Sequence, residues 1–152
     1  AAHKTLSEQI ASKTCRRTYL ALLEGKLADD GGTVTTYIGR SPRDRLKMAV
    51  VPPDKGKLAI TEYKVVKRYE NYTLCRFDLK TGRTHQIRVH AKYLNHPVVG
   101  DTVYGIKKQK FKLNGQLLHA FRLAFIHPST GKEMSFEAPL PEYFTEILNK
   151  LK

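Results

Sequence analysis

The chain has 152 residues, 41% hydrophobic and 9% aromatic, enough for one folded domain with a real core and not the composition of a disordered protein. Its 27 Lys and Arg against 14 Asp and Glu leave a net charge of +13, and a folded domain this basic suits a polyanionic partner. No apolar run is long enough to span a membrane, and the N-terminal AAHKTLSEQIASK is polar and amphipathic rather than signal-like. Two distant cysteines, Cys15 and Cys75, fit a reducing, cytoplasmic compartment better than a disulfide framework.

In chain order, residues 2–13 read as a helix, with Ala2, Leu6 and Ile10 at helical spacing. RRTYLALLE, residues 16–24, reads as a strand apolar on both faces and hence buried. After the Asp29-Asp30-Gly31-Gly32 turn, TVTTYI and LKMAVV read as strands, and Pro52 to Gly56 as a loop. LAITEYKVV and NYTLCRFDL follow as two strands; in the second, Thr73, Cys75, Phe77 and Leu79 alternate onto one face. Lys80 to Arg83 turns the chain into a helix capped by Thr84 and running to Leu94, with Ile87, Ala91 and Leu94 inward and Asn95-His96-Pro97 as its stop.

A basic loop, Ile106 to Gly115, leads to the strand LLHAFRLAF, the turn His127 to Gly131 and the strand EMSFEA. Pro141 then opens a closing helix whose stripe is Leu140, Tyr143, Phe144, Ile147, Leu148 and Leu151. No repeat or linker divides the chain. The predicted class is α+β: a mixed, mostly antiparallel sheet flanked by helices, in a single domain over residues 1–152.

The basic residues are dispersed through RRTY, GRSPRDRLK, TGRTHQIR and IKKQKFK, which suits contacts along a nucleic-acid backbone more than one membrane-binding helix. The six histidines, His3, His85, His90, His96, His119 and His127, form no HExxH, and no CxxC exists, so a zinc site is not indicated. Nucleotide-cofactor loops are absent as well. The segment Thr81 to His90, TGRTHQIRVH, stands apart. A glycine turn feeds a helix start carrying Arg83, His85, Gln86 and Arg88, with His85 and Arg88 three apart on one face. Free N–H groups at a helix start favour an anion, and these side chains can grip phosphate, carboxylate or a base edge. On composition alone, a solvated basic helix end fits the segment about as well.

TGRTHQIRVH, then NHPVVGDTVYG, LLHAFRLAFIHPSTG and EAPLP, resemble the RluA-type pseudouridine synthases, and RRTYLALLEGKL resembles that family's tyrosine motif. IGRSPRDRLKMAV followed by ITEYKVV is similar to the branch acting on large-subunit ribosomal RNA. The resemblance spans essentially the whole chain. It implies isomerisation of uridine to pseudouridine in a base flipped out of the RNA stack, with no cofactor and no metal. RNA is the expected partner of a monomeric protein that needs no membrane.

By the same resemblance Tyr19 is the active-site tyrosine that lies against the flipped uracil, although alone it reads as a core tyrosine. Arg88 is the arginine that pairs with the catalytic carboxylate and holds it ionised. Arg83, His85 and Gln86 are assigned RNA contact or support of the cleft, and Arg45 and Lys47 RNA contact. Asp101, Tyr104 and His119 are assigned to the cleft wall. One departure stands out. The family nucleophile is an aspartate in an HRLD or HRID motif upstream of the tyrosine motif, and none of Asp29, Asp30, Asp44, Asp54, Asp78 or Asp101 has that context. The chain is therefore expected to be the C-terminal major part of a catalytic domain, inactive alone. Arg88 is expected to be left unpaired, and a missing strand to leave an open edge beside residues 16–24. The competing reading is a non-enzymatic RNA-binding module.

Overall fold

The computed structural model describes residues 16–106, 116–126 and 133–151. The expected helix 2–13, Cys15, most of the basic loop and the turn 127–131 lie outside them. Seven strands form one sheet: β1 (Arg16–Glu24), β2 (Gly31–Arg40), β3 (Met48–Val50), β4 (Lys57–Arg68), β5 (Tyr72–Leu79), β6 (Leu118–Ile126) and β7 (Glu133–Glu137). Among the described residues two helices accompany them, α1 (Gln86–Tyr93) and α2 (Glu142–Lys150). The strand order is β3-β2-β4-β5-β1-β6-β7. The α+β class is as expected, and every pairing among the described strands is antiparallel.

The expected open edge beside β1 is wrong. β1 lies inside the sheet, bonded to β5 on one side and β6 on the other, and the terminal positions belong to β3 and β7. Its two-sided apolar sequence agrees with this place, because an interior strand with a helix on each face has no solvent side. Ala21 and Leu23 join Phe77, Cys75, Ile87 and Ala91 in the core under α1. Leu22, on the opposite face, packs with Leu74, Leu117, Phe144 and Ile147 beneath α2. Full burial of side chains such as Leu22 and Phe77 stabilises the fold by about 1.5–3 kcal/mol each. Of the predicted α2 stripe, Phe144 and Ile147 are buried and Leu140, Leu148 and Leu151 pack against them, whereas Tyr143 is half exposed. In β5 the alternation fails over Tyr72 to Cys75, which are buried on both faces because both helices cover that half of the strand. Burial pushes the Cys75 thiol up to about 12, so this cysteine is an unreactive core group.

α1 begins one residue later than predicted. Its N-cap is His85, in the left-handed region at φ 56°, and not Thr84. No side chain caps the helix; Gln86 instead pins the turn before it, its Oε1 accepting from the Arg83 N–H (2.9 Å) and the Thr81 hydroxyl (2.7 Å). The helix closes as Asn95 predicts. Asn95 turns left-handed at φ 66°, and the N–H groups of Asn95 and His96 bond back to the carbonyls of Lys92 and Ala91, a Schellman closure.

Below α1 runs a buried polar chain. Gln86 Nε2 donates to Thr61 Oγ1 (2.8 Å), and His90 lies between Thr61 (2.7 Å) and Thr36 (2.8 Å). A neutral imidazole serves both threonines, donating from one ring nitrogen and accepting at the other. Burial lowers the His90 pKa to about 4, from 6.5. Between pH 6.5 and 4 the unfolded chain therefore binds a proton that the fold refuses. This part of the stability is present above pH 6.5 and is lost as pH falls towards 4, on the order of 3 kcal/mol in all. Urea unfolding at pH 7 and pH 4.5 should show that fall, and His90→Gln should flatten it; equal slopes in the two proteins would refute the assignment.

Candidate active-site cleft

A cleft of about 250 Å³ opens where the N-terminal half of β1 meets the start of α1. Its lining combines Arg17 and Tyr19 of β1, Leu79 at the end of β5, Gly82, Arg83 and His85 to Arg88 of the turn and first helical turn, and Gln116 and Leu118 before and in β6. Strand periodicity puts Arg17 and Tyr19 on the face that further along carries Ala21 and Leu23, so this face changes from core to cleft at Tyr19. Here too the β1–β6 register slips. Thr18 opposes Arg122 and Tyr19 opposes Ala120, leaving Phe121 as the extra residue of a bulge. Such a bulge bends the ladder beside the tyrosine, a device often found next to active sites.

Arg88 holds the back of the cleft. Its Nε donates to Asp101 Oδ2 (2.8 Å) and its Nη2 to Asp101 Oδ1 (2.9 Å), a bidentate pair with Asp101 fully buried and the arginine side chain 13% exposed. Asp101 Oδ1 also accepts the N–H groups of Val103 and Tyr104. Burial alone would raise the Asp101 pKa. The Arg88 guanidinium and those two N–H groups outweigh it and hold the carboxyl below its ordinary value, while Asp101 in turn raises Arg88. The expected unpaired Arg88 is thus incorrect. The loop after α1, reversed through Gly100 at φ 83°, delivers an acid to it. The described bonds leave Nη1 of the fork free, so Arg88 can keep Asp101 and still offer a donor to the cleft.

Tyr104, expected in the cleft wall, is not among the lining residues but supports two of them from behind. Arg88 stacks over its ring (5.0 Å to the centroid), His85 Nδ1 shares a hydrogen bond with its hydroxyl (2.8 Å), and the Met48 N–H donates to the same oxygen (2.9 Å). Burial first, and then the nearby Arg88 charge, lower the His85 pKa and favour the neutral ring. A non-glycine residue at φ 56° is strained, and such strain persists where the surroundings fix it. Here the bond to Tyr104 and the turn pinned by Gln86 fix it, and His85 is among the residues lining the cleft.

Of the predicted residues, Tyr19, Arg83, His85, Gln86 and Arg88 meet in this one cleft. Gln86 takes the supporting role of the two considered: it is buried, with both ends of its carboxamide engaged by Thr81, Arg83, Ile60 and Thr61. Arg83 Nε donates to the Leu58 carbonyl (2.8 Å), which anchors the turn to β4. Arg45 and Lys47 are not in the cleft; they stand on the loop between β2 and β3, where Arg45 is exposed. His119 reaches the Ala138 carbonyl (3.1 Å) and is not among the cleft lining. Arg17 was not singled out by the sequence reading. Its place two residues before Tyr19 on a strand was the signal available. None of the six aspartates lines the cleft. Asp101 is held by Arg88, Asp78 by Arg76 and Thr18, and Asp30 by Arg68.

Comparison with known proteins agrees with the resemblance. The sequence pattern of the family described as RNA pseudouridylate synthase matches residues 1–93. The protein named uncharacterized RNA pseudouridine synthase YlyB, of Bacillus subtilis, is 45% identical over 151 residues, covering 99% of this chain and 49% of that protein. Ribosomal large subunit pseudouridine synthase D of Neisseria meningitidis serogroup A is 44% identical over 161 residues, covering 99% of this chain and 42% of its own length. The chain thus spans about half the length of these curated relatives. The solved structure of human RNA pseudouridylate synthase domain containing 1 superposes with a TM-score of 0.78 at 27% identity, over 90% of this chain and 59% of that one.

Proposed function

Because this chain belongs to the RNA pseudouridylate synthase family, we propose that it forms the uridine-holding cleft of an enzyme that isomerises uridine to pseudouridine in RNA. The observation that carries the reading is the meeting of Tyr19 and Arg88, from motifs far apart in sequence, in one cavity. Tyr19 offers a ring for a flipped uracil to lie against and a hydroxyl near its edge. Arg88, oriented by Asp101, keeps Nη1 for a carboxylate nucleophile, which it would hold ionised. Large-subunit ribosomal RNA is the proposed substrate, on the likeness to a protein named for that activity and on the GRSPRDRLK loop. Arg45 and Lys47 on that loop are proposed to contact RNA phosphates outside the cleft. The Met48 N–H to Tyr104 bond ties this loop to the wall that holds Arg88.

Taken alone, the chain is proposed to bind RNA without converting it, since no carboxylate lines the cleft among the described residues. Incubated with a large-subunit ribosomal RNA fragment, it should bind with an affinity that falls steeply with salt, by about 0.7–0.9 in log–log slope for each phosphate contacted. Mapping should find no new pseudouridine. A flat salt dependence would remove RNA binding from the proposal, and pseudouridine formed by the chain alone would place the nucleophile among its own six aspartates.

A further inference from the structure

Arg17 is the cleft's one guanidinium with no strong partner among the described residues. Arg88 is neutralised by Asp101, and Arg83 is anchored by a backbone carbonyl. Arg17 Nε is buried with no hydrogen-bond acceptor, and its Nη2 reaches only the Thr81 carbonyl, at 3.5 Å. Its cross-strand neighbours are Leu79 and Leu123, neither of them an acid. A buried donor without an acceptor is disfavoured unless something else supplies one.

Gly82 supplies the second observation. Its φ is not in the left-handed region, so the turn does not need glycine for its backbone conformation. What glycine provides is room, because a Cβ at 82 would overlap the Arg17 Nη2 and crowd the rest of the guanidinium. The arginine head therefore lies directly over Gly82, at the floor of the cleft. Tyr19 leaves the same face of β1 two residues on, about 7 Å away at strand spacing. That separation suits the two ends of one nucleotide, the base against the tyrosine and the phosphate at the arginine. A planar guanidinium presents paired N–H donors to two phosphate oxygens.

Resting on the RNA reading above, we propose that Arg17, seated over Gly82, is a phosphate clamp that holds the phosphodiester of the nucleotide whose base lies against Tyr19. Gly82 is its positioning residue.

The test uses the full chain and a uridine hexanucleotide, with affinity measured across salt concentrations. Arg17→Gln keeps the stem and removes the charge. Gly82→Ala keeps the charge and displaces the head, which is flexible enough to move without unfolding the turn. Each variant should melt as the parent does, bind about tenfold more weakly, and lose roughly 0.7 from the log–log salt slope, the value of one single-strand phosphate. The double variant should be no worse than either alone, because both remove one contact. Arg17→Lys should keep the slope while losing affinity, and it serves as the reporter if Arg17→Gln does not fold. An unchanged slope in Arg17→Gln, wild-type binding by Gly82→Ala, additive losses in the double variant, or a loss of slope in Arg17→Lys would overturn the clamp while leaving RNA binding in place. So would lowered stability without a change of slope, which would mark Arg17 as the partner of a protein group. No binding by the parent chain at any salt would overturn the RNA reading itself and the clamp with it.

Discussion

Asp101→Ala should destabilise the protein by about 3–5 kcal/mol, a large part of the roughly 5–15 kcal/mol that holds a domain of this size. Asp101 is fully buried and bonded to both Nε and Nη2 of a largely buried Arg88. Its removal strands a guanidinium in a site of low polarity and also frees the Val103 and Tyr104 N–H groups. The half-exposed pair of Lys80 and Glu62 is the internal control. Glu62→Ala should cost about 1 kcal/mol or less, since water screens that pair. Chemical denaturation of both variants checks the difference, and comparable costs would mean that the Arg88 pair is solvated in solution. Removing both charges with Arg88→Met and Asp101→Leu should recover much of the loss, as expected when two apolar groups replace a buried ion pair.

Arg88→Lys should reduce turnover by on the order of 10²–10³-fold in a longer protein that joins this cleft to the aspartate motif of the family, with a much smaller effect on RNA affinity. Lysine keeps the positive charge, so any effect that depends on charge alone would survive. It cannot hold Asp101 with two parallel bonds and point a third N–H into the cleft. Arg88→Ala is a poorer probe, because it orphans buried Asp101 and confounds catalysis with folding. Single-turnover pseudouridine formation at saturating enzyme separates the two contributions. A lysine variant with near-normal turnover would reduce Arg88 to a structural role.

The legible part of this protein was its periodicity. Strand alternation and the Asn95 stop placed most elements, and the three-residue spacing of His85 and Arg88 anticipated their shared cleft. Sequence could not place the strands relative to one another. β1 was read as a strand needing a further neighbour, and its partner on that side is β6, from the far end of the domain. Nor could it pair Arg88 with Asp101, because that contact depends on how the Schellman closure at Asn95 and the left-handed Gly100 fold the loop back under α1. Arg17 escaped notice because a basic residue at a strand end ordinarily reads as surface. Its buried Nε and the bare Cα of Gly82 against its head show otherwise.

The interior position of β1 also sets a timetable for assembly. Tyr19 stands in register opposite Phe77 on one side and Ala120 on the other, the latter roughly 100 residues along the chain. Contacts so distant are slow to close, because chain entropy must be surrendered before they give anything back. At about 5–20 residues per second of synthesis, β1 waits several seconds or more for β6 to emerge. During that interval the hairpin partners β4 and β5 can form their ladder, but the bulge beside Tyr19 cannot exist. The cleft is therefore among the last features to take shape on a ribosome, and a nascent chain stopped before residue 118 would carry the tyrosine without the wall that frames it.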